Sequence, residues 1–273
     1  MPYVSTEALL RLLRNNALPQ LGFTDWAVNA VHHRVYGGIV RSAVECDEIW
    51  TQICAAVRDC TSLRTVRIDP RVAYFKRHYA PQALELLSAL RGNPSVKHVV
   101  TGDVEYDDLG YRQNVATSFG EIDEMATGLA ILLAANVPAL QRLSLCDLGL
   151  DAWGLALVLR ALPRNTHLKE LALWLEAAQD PPDDPAMSDP TTSGTCFLAS
   201  ELFTAVQQNR SLRELTIDPY EYDEHELDSG WEELHIFEAA VTHVRDRSDP
   251  AVQAAARGWQ RAYRKWTAPR ALP

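Results

Sequence analysis

Residues 140–173 read LQRLSLCDLGLDAWGLALVLRALPRNTHLKELAL, and this stretch decides the fold. It carries one motif twice, L-x-x-L-x-L, at Leu140/Leu143/Leu145 and at Leu168/Leu171/Leu173. The last two leucines of each copy are two residues apart, so on a strand they point to the same side. Between the copies lies an apolar run, Ala152–Leu162, followed by Asn165. That run predicts a helix with Trp153, Leu157, Val158, Ala161 and Leu162 turned inward, returning the chain to start a parallel strand. One such strand–helix unit cannot cover its own apolar face, so units must stack in series.

The motif recurs along the chain. Leu18/Leu21/Phe23, Leu63/Val66/Ile68, Val96/Val99/Thr101 and Leu212/Leu215/Ile217 repeat its spacing, the third with threonine in place of the last leucine. Helices are predicted between them, over Glu7–Arg14, Glu45–Arg58, from about Pro81 to Leu90, and over Phe197–Gln207. Asparagine stands three residues before four of the six motif starts, as Asn15, Asn93, Asn165 and Asn209, and Cys60 takes that place in the second unit. Asparagine tolerates the left-handed turn that ends a helix, which is the role this spacing suggests.

The combination resembles leucine-rich repeats of the ribonuclease-inhibitor type, the kind also found in NOD-like receptors. The resemblance covers about residues 5–218. It implies an α/β solenoid, with a curved parallel sheet inside and helices outside. In that family Asn or Cys usually stands three residues after the last leucine and bonds the turn. Here those positions are Trp26, Arg71, Val104, Leu148, Glu176 and Tyr220, so no ladder of that kind is expected.

The chain reads as a solenoid over residues 1–248 with insertions at about 102–127 and 176–195, then a C-terminal helix over 249–273. The second insertion, rich in proline, acids and small polar residues, has little to bury and reads as a loop. In the last helix Val252, Ala256, Trp259, Tyr263 and Trp266 form an apolar seam. Two readings stand for it: a cap over the open end of the solenoid, or a basic helix that binds an anionic surface or a partner groove.

A net charge of -10 argues against a general nucleic-acid binder, which needs a positive footprint. The five cysteines are odd in number and lack a C-x-x-C pair, which suggests reduced thiols. The first residues do not read as a signal peptide, and no apolar run is long enough to span a membrane. The expected compartment is the cytoplasm, or the nucleus.

The resemblance places the binding surface on the outward strand residues. The candidate partner-binding residues are Arg67, Asp69, His98, Arg142, Glu170, Trp174, Glu214 and Asp218. Trp174 has two readings, an interface anchor or a side chain packed under the 176–195 loop. The acidic segments near 103–108 and 218–228 are either solubilising loops or attract a basic partner. His32 and His33 could pair with a thiol such as Cys46 or Cys54, but no catalytic or metal signature surrounds them. No Gly-rich phosphate loop, H-E-x-x-H or G-x-S-x-G occurs. The expectation is a non-catalytic module that binds another protein and needs no metal or cofactor. An adaptor that presents a client to another complex, of the ubiquitin-ligase or signalling kind, is the alternative, and a hidden enzyme the third reading.

Overall fold

The computed structural model describes residues 6–23, 43–68, 79–101, 119–145, 152–175, 194–219, 239–250 and 254. Strands and helices alternate along the chain. Helix α1 spans Thr6–Arg14, β1 Gln20–Phe23, α2 Ala43–Asp59, β2 Thr65–Ile68, α3 Tyr79–Gly92 and β3 His98–Thr101. Helix α4 follows over Phe119–Ala134, then β4 Arg142–Leu145, α5 Ala152–Ala161 with a 3-10 turn Leu162–Arg164, β5 Glu170–Leu175, α6 Gly194–Gln208 and β6 Glu214–Pro219. The six strands form one sheet in chain order, and every neighbouring pair is parallel. Consecutive helices pack side by side in the same order. The fold is therefore α/β.

The strands fall where the repeated motif puts them, and their register is regular. Leu21, Val66, Val99, Leu143, Leu171 and Leu215 stand in one row across the sheet. All are buried, and they join the inward helix residues, such as Trp50, Leu87, Leu129, Leu159 and Leu202, in a single core. Thr101, the departure from the motif, is also fully buried, and its hydroxyl donates to the Ser144 carbonyl at 3.3 Å. A buried hydroxyl is tolerated when it finds such an acceptor.

Helix α5 presents a different face from the one expected. Trp153 and Leu157 are exposed, at 59% and 40%, while Leu155, Val158, Leu159 and Leu162 are buried. Steps of three and four through 155, 158, 159 and 162 define one side of a helix, and 153 and 157 lie off it. Helix α4 also starts inside the expected insertion, at Phe119, so residues 119–127 belong to a repeated element rather than to a connection.

The asparagines before the strands do not adopt left-handed turns. Positive φ among the described non-glycine residues occurs at Asn16 (φ 52) and Asn136 (φ 55), and Asn165 is extended at φ -86, ψ 126. Asn93, Asn165 and Asn209 are instead buried cross-braces. The side chain of Asn93 accepts from the Ser95 and Val96 amides at 2.7 and 2.8 Å and donates to the Val57 and Cys60 carbonyls at 2.5 and 2.8 Å. Asn209 does the same, accepting from Ser211 and Leu212 and donating to the Leu162 and Asn165 carbonyls. Asn165 accepts from His167 and Leu168 and donates to Leu133. A ladder of polar side chains does tie unit to unit, but ahead of the strands rather than behind them. Each brace satisfies amides and carbonyls left over where a helix ends and a strand begins. Asn16 and Asn136, in left-handed turns, make the matching outer links, to Thr61 and Thr166.

Among the described residues no helix is long and apolar enough to cross a membrane. Residues 239–245 are helical, with Ala240, His243 and Val244 buried. The expected C-terminal seam beyond them, like residues 24–40 with His32 and His33, lies outside the described residues.

Candidate interaction face of the sheet

One face of the sheet is closed by the helices. The other carries the outward strand residues. In the first outward row stand Gln20, Thr65, His98, Arg142, Glu170 and Glu214. Two residues further along each strand stand Gly22, Arg67, Val100, Ser144, Ala172 and Thr216. Parallel neighbours lie about 4.8 Å apart, so side chains in one row are within reach of each other.

Five candidate residues are thus brought together. His98, Arg142, Glu170 and Glu214 share one row, and Arg67 is diagonal to His98 in the next. Arg142 Nε meets Glu170 Oε2 at 2.8 Å, with the two side chains 56% and 34% exposed. An ion pair as open as this fixes orientation more than it stabilises. His98 Nε2 and Ser144 Oγ are 2.9 Å apart, and either atom can donate. The imidazole is held below its ordinary pKa, first by burial and then by the positive charges of Arg142 and Arg67. Burial and these neighbouring charges favour the neutral imidazole.

The face is not uniformly open. Val100, placed outward by its strand position, is only 5% exposed, flanked in register by Arg67 and Ser144. Glu214 and Thr216 on β6 are exposed. The backbones of Trp174 and Asp218 pair across β5 and β6, which places the two residues in one row. Their side chains, and all of Asp69, lie outside the described residues.

A further row escapes a reading that counts only alternating strand positions. The residue just before each strand from β2 to β6 is Arg64, Lys97, Gln141, Lys169 and Arg213, and backbone bonds join them in order. The signal is present in the sequence: it is the residue after the first apolar position of each motif. Among the described residues no cluster of three or more His, Cys, Asp or Glu could hold a metal ion. Cys54 and Cys60 are free and buried, and burial, with help from Glu85, pushes the Cys54 thiol up to about 12.

No family model matches this chain, and no curated protein matches it. Among solved structures it is similar to one described as "Leiomodin-1 Actin-Binding Site 2 (ABS2)", with a TM-score of 0.32 and 12% identity over 96% of this chain and 99% of that one. A likeness at that level carries no argument about function.

Proposed function

We propose that this chain is a non-catalytic protein–protein recognition module built of degenerate leucine-rich repeats of the ribonuclease-inhibitor type, and that it binds its partner through the outward face of the sheet. The observation that carries the reading is the row His98, Arg142, Glu170, Glu214. Charged and polar groups stand side by side on four consecutive strands, and one continuous core behind them holds the backbone in place. A surface whose backbone is fixed before binding loses little entropy on docking. Its mixed charge sets register and partner choice more than raw affinity. The partner is a protein rather than a nucleic acid, since a chain of net charge -10 repels a long polyanion. The free, buried thiols Cys54 and Cys60 suit a reducing compartment, the cytoplasm or nucleus.

The test is affinity capture followed by quantitative mass spectrometry, with three forms of the protein. The wild type is compared with R142E/E214K on the outward face and with I131E/L157E on the exposed helix side. The reading expects a partner held by the wild type and the helix variant and lost by the face variant. A partner kept by the face variant and lost by the helix variant contradicts it.

A further inference from the structure

The residues that precede the strands carry charge of one sign. Arg64, Lys97, Lys169 and Arg213 occupy four of the five registered positions from β2 to β6, with Gln141 in the middle. At about 4.8 Å per strand the row is roughly 19 Å long. It is basic in a chain whose net charge is -10. On β5 and β6 the next residue is an acid: Glu214 follows Arg213, and Glu170, which follows Lys169, is paired with Arg142 of β4. On β2 to β4 the described outward residues are Thr65, Arg67, His98, Val100, Arg142 and Ser144, and none is acidic. On β2 and β3 the positive charges of Arg64 and Lys97 therefore have no acid beside them among the described outward residues, and Arg142 on β4 is held in its ion pair with Glu170. Arg64, Lys97 and Arg142 are exposed. One nitrogen of Arg64, Nη1, donates to the carbonyls of Thr61, Leu63 and Ser95, which holds the guanidinium at the end of the strands. Its other N–H groups make no hydrogen bond among the described residues and remain for a ligand.

We propose that this patch receives a short acidic segment of the partner protein, laid in extended form across β2, β3 and β4, with its carboxylates on Arg64, Lys97 and Arg142. The proposal rests on the reading that the outward face binds a protein. Side chains on one side of an extended segment recur about every 6.7 Å, and three strands span roughly 10 Å. Two or three glutamates or aspartates at alternate positions thus match the patch. A carboxylate on Arg142 exchanges with Glu170, an exposed pair that is given up at small cost. A nucleic acid fits less well, because a longer polyanion continues onto Glu170 and Glu214.

The test uses the full chain and a fluorescently labelled hexapeptide of alternating glutamate and serine, with anisotropy read at low and at physiological ionic strength. The variants are R64E/K97E and, because Arg64 also braces carbonyls, K97E alone; Lys97 makes no side-chain hydrogen bond among the described residues. The control is R11E/R91E, on the exposed helix side. The inference expects salt-sensitive binding, weakened about tenfold or more by the double reversal, in the same direction by K97E, and left within about twofold by the control. Absence of peptide binding overturns it, as does equal loss in the control or tighter binding of an oligothymidylate of the same length. If the peptide fails while R142E/E214K still releases the captured partner, the acidic-segment inference falls and the face reading stands. If R142E/E214K keeps the partner, the face reading falls and takes this inference with it.

Discussion

Asn93→Ala should be among the most damaging single substitutions available in the sheet, although it removes no apolar contact. The side chain is 1% exposed and makes five links: two backbone amides and the Ser95 hydroxyl donate to it, and it donates to two carbonyls. In the alanine variant the Ser95 hydroxyl, 2.9 Å from the Cys60 carbonyl and 2.8 Å from that of Leu63, has one hydrogen to share between them. The Ser95 and Val96 amides lose their acceptor, and the Val57 carbonyl loses its side-chain donor. A buried donor left unsatisfied costs about 1–3 kcal/mol, so two of them set an expectation of about 3 kcal/mol or more. Urea unfolding followed by circular dichroism reads this directly as a lower midpoint at unchanged slope. Asn93→Asp sharpens the test. It keeps an acceptor for the amides but sets a buried carboxylate against two carbonyl oxygens, which raises the folded-state pKa of the new group above its unfolded value near 3.9. Stability tied to a raised pKa is present below the unfolded value and is lost as pH rises through the folded one. The aspartate variant should therefore approach the wild type in acid and fall away from it toward neutral pH. A deficit below about 1 kcal/mol for the alanine variant would refute the cross-brace account, as would a pH-independent deficit for the aspartate variant.

Three further outcomes follow from the packing and the charges. His243 is buried against Phe203, and its Nδ1 has no hydrogen-bond partner among the described residues; burial, then Arg247 and Arg210, hold its pKa down. The unfolded chain takes a proton that the folded chain resists, so urea resistance should fall as pH drops below about 6.5 and fall less in H243F, with His98 supplying the remainder. Cys54, with its thiol pushed up to about 12, should resist iodoacetamide at mildly alkaline pH in the folded protein and react once urea unfolds it; labelling at the free-thiol rate without denaturant would contradict its burial. At Gly128 an added Cβ comes within 2.6 Å of Leu87 Cδ1 and 2.8 Å of Leu84 Cδ2, so Gly128→Val should force both leucine ends to shift between α3 and α4 and cost about 1–3 kcal/mol by thermal melting, despite the usual penalty for glycine in a helix.

Strand position was legible because a two-residue spacing of large apolar side chains admits few other readings, and all six motifs lie on or beside a strand of the sheet. Helix orientation was less so. In α5 almost every residue is apolar, so composition alone cannot tell the buried 155/158/159/162 side from the exposed 153/157 side; the neighbouring helices decide it. The asparagines were visible as a recurrent position, but their work lies in bonds to carbonyls some thirty to fifty residues earlier in the chain, which only the stacked fold brings close. At the candidate face, alternation predicted His98, Arg142, Glu170 and Glu214 as neighbours. It missed the basic row before the strands, whose residues precede the regular alternation, and it gave no sign that Val100 would be nearly closed off.

The most direct test of the central claim is a photo-crosslinking scan. Benzoylphenylalanine would be placed one position at a time at Arg67, Arg142, Glu214 and Thr216 on the sheet, and at Arg91, Ile131 and Leu157 on the helices, in cells that express the protein. The account predicts one discrete crosslinked protein from the sheet positions and none from the helix positions. Crosslinks to a discrete protein from Ile131 and Leu157 alone would contradict it and move the binding surface to the helical side.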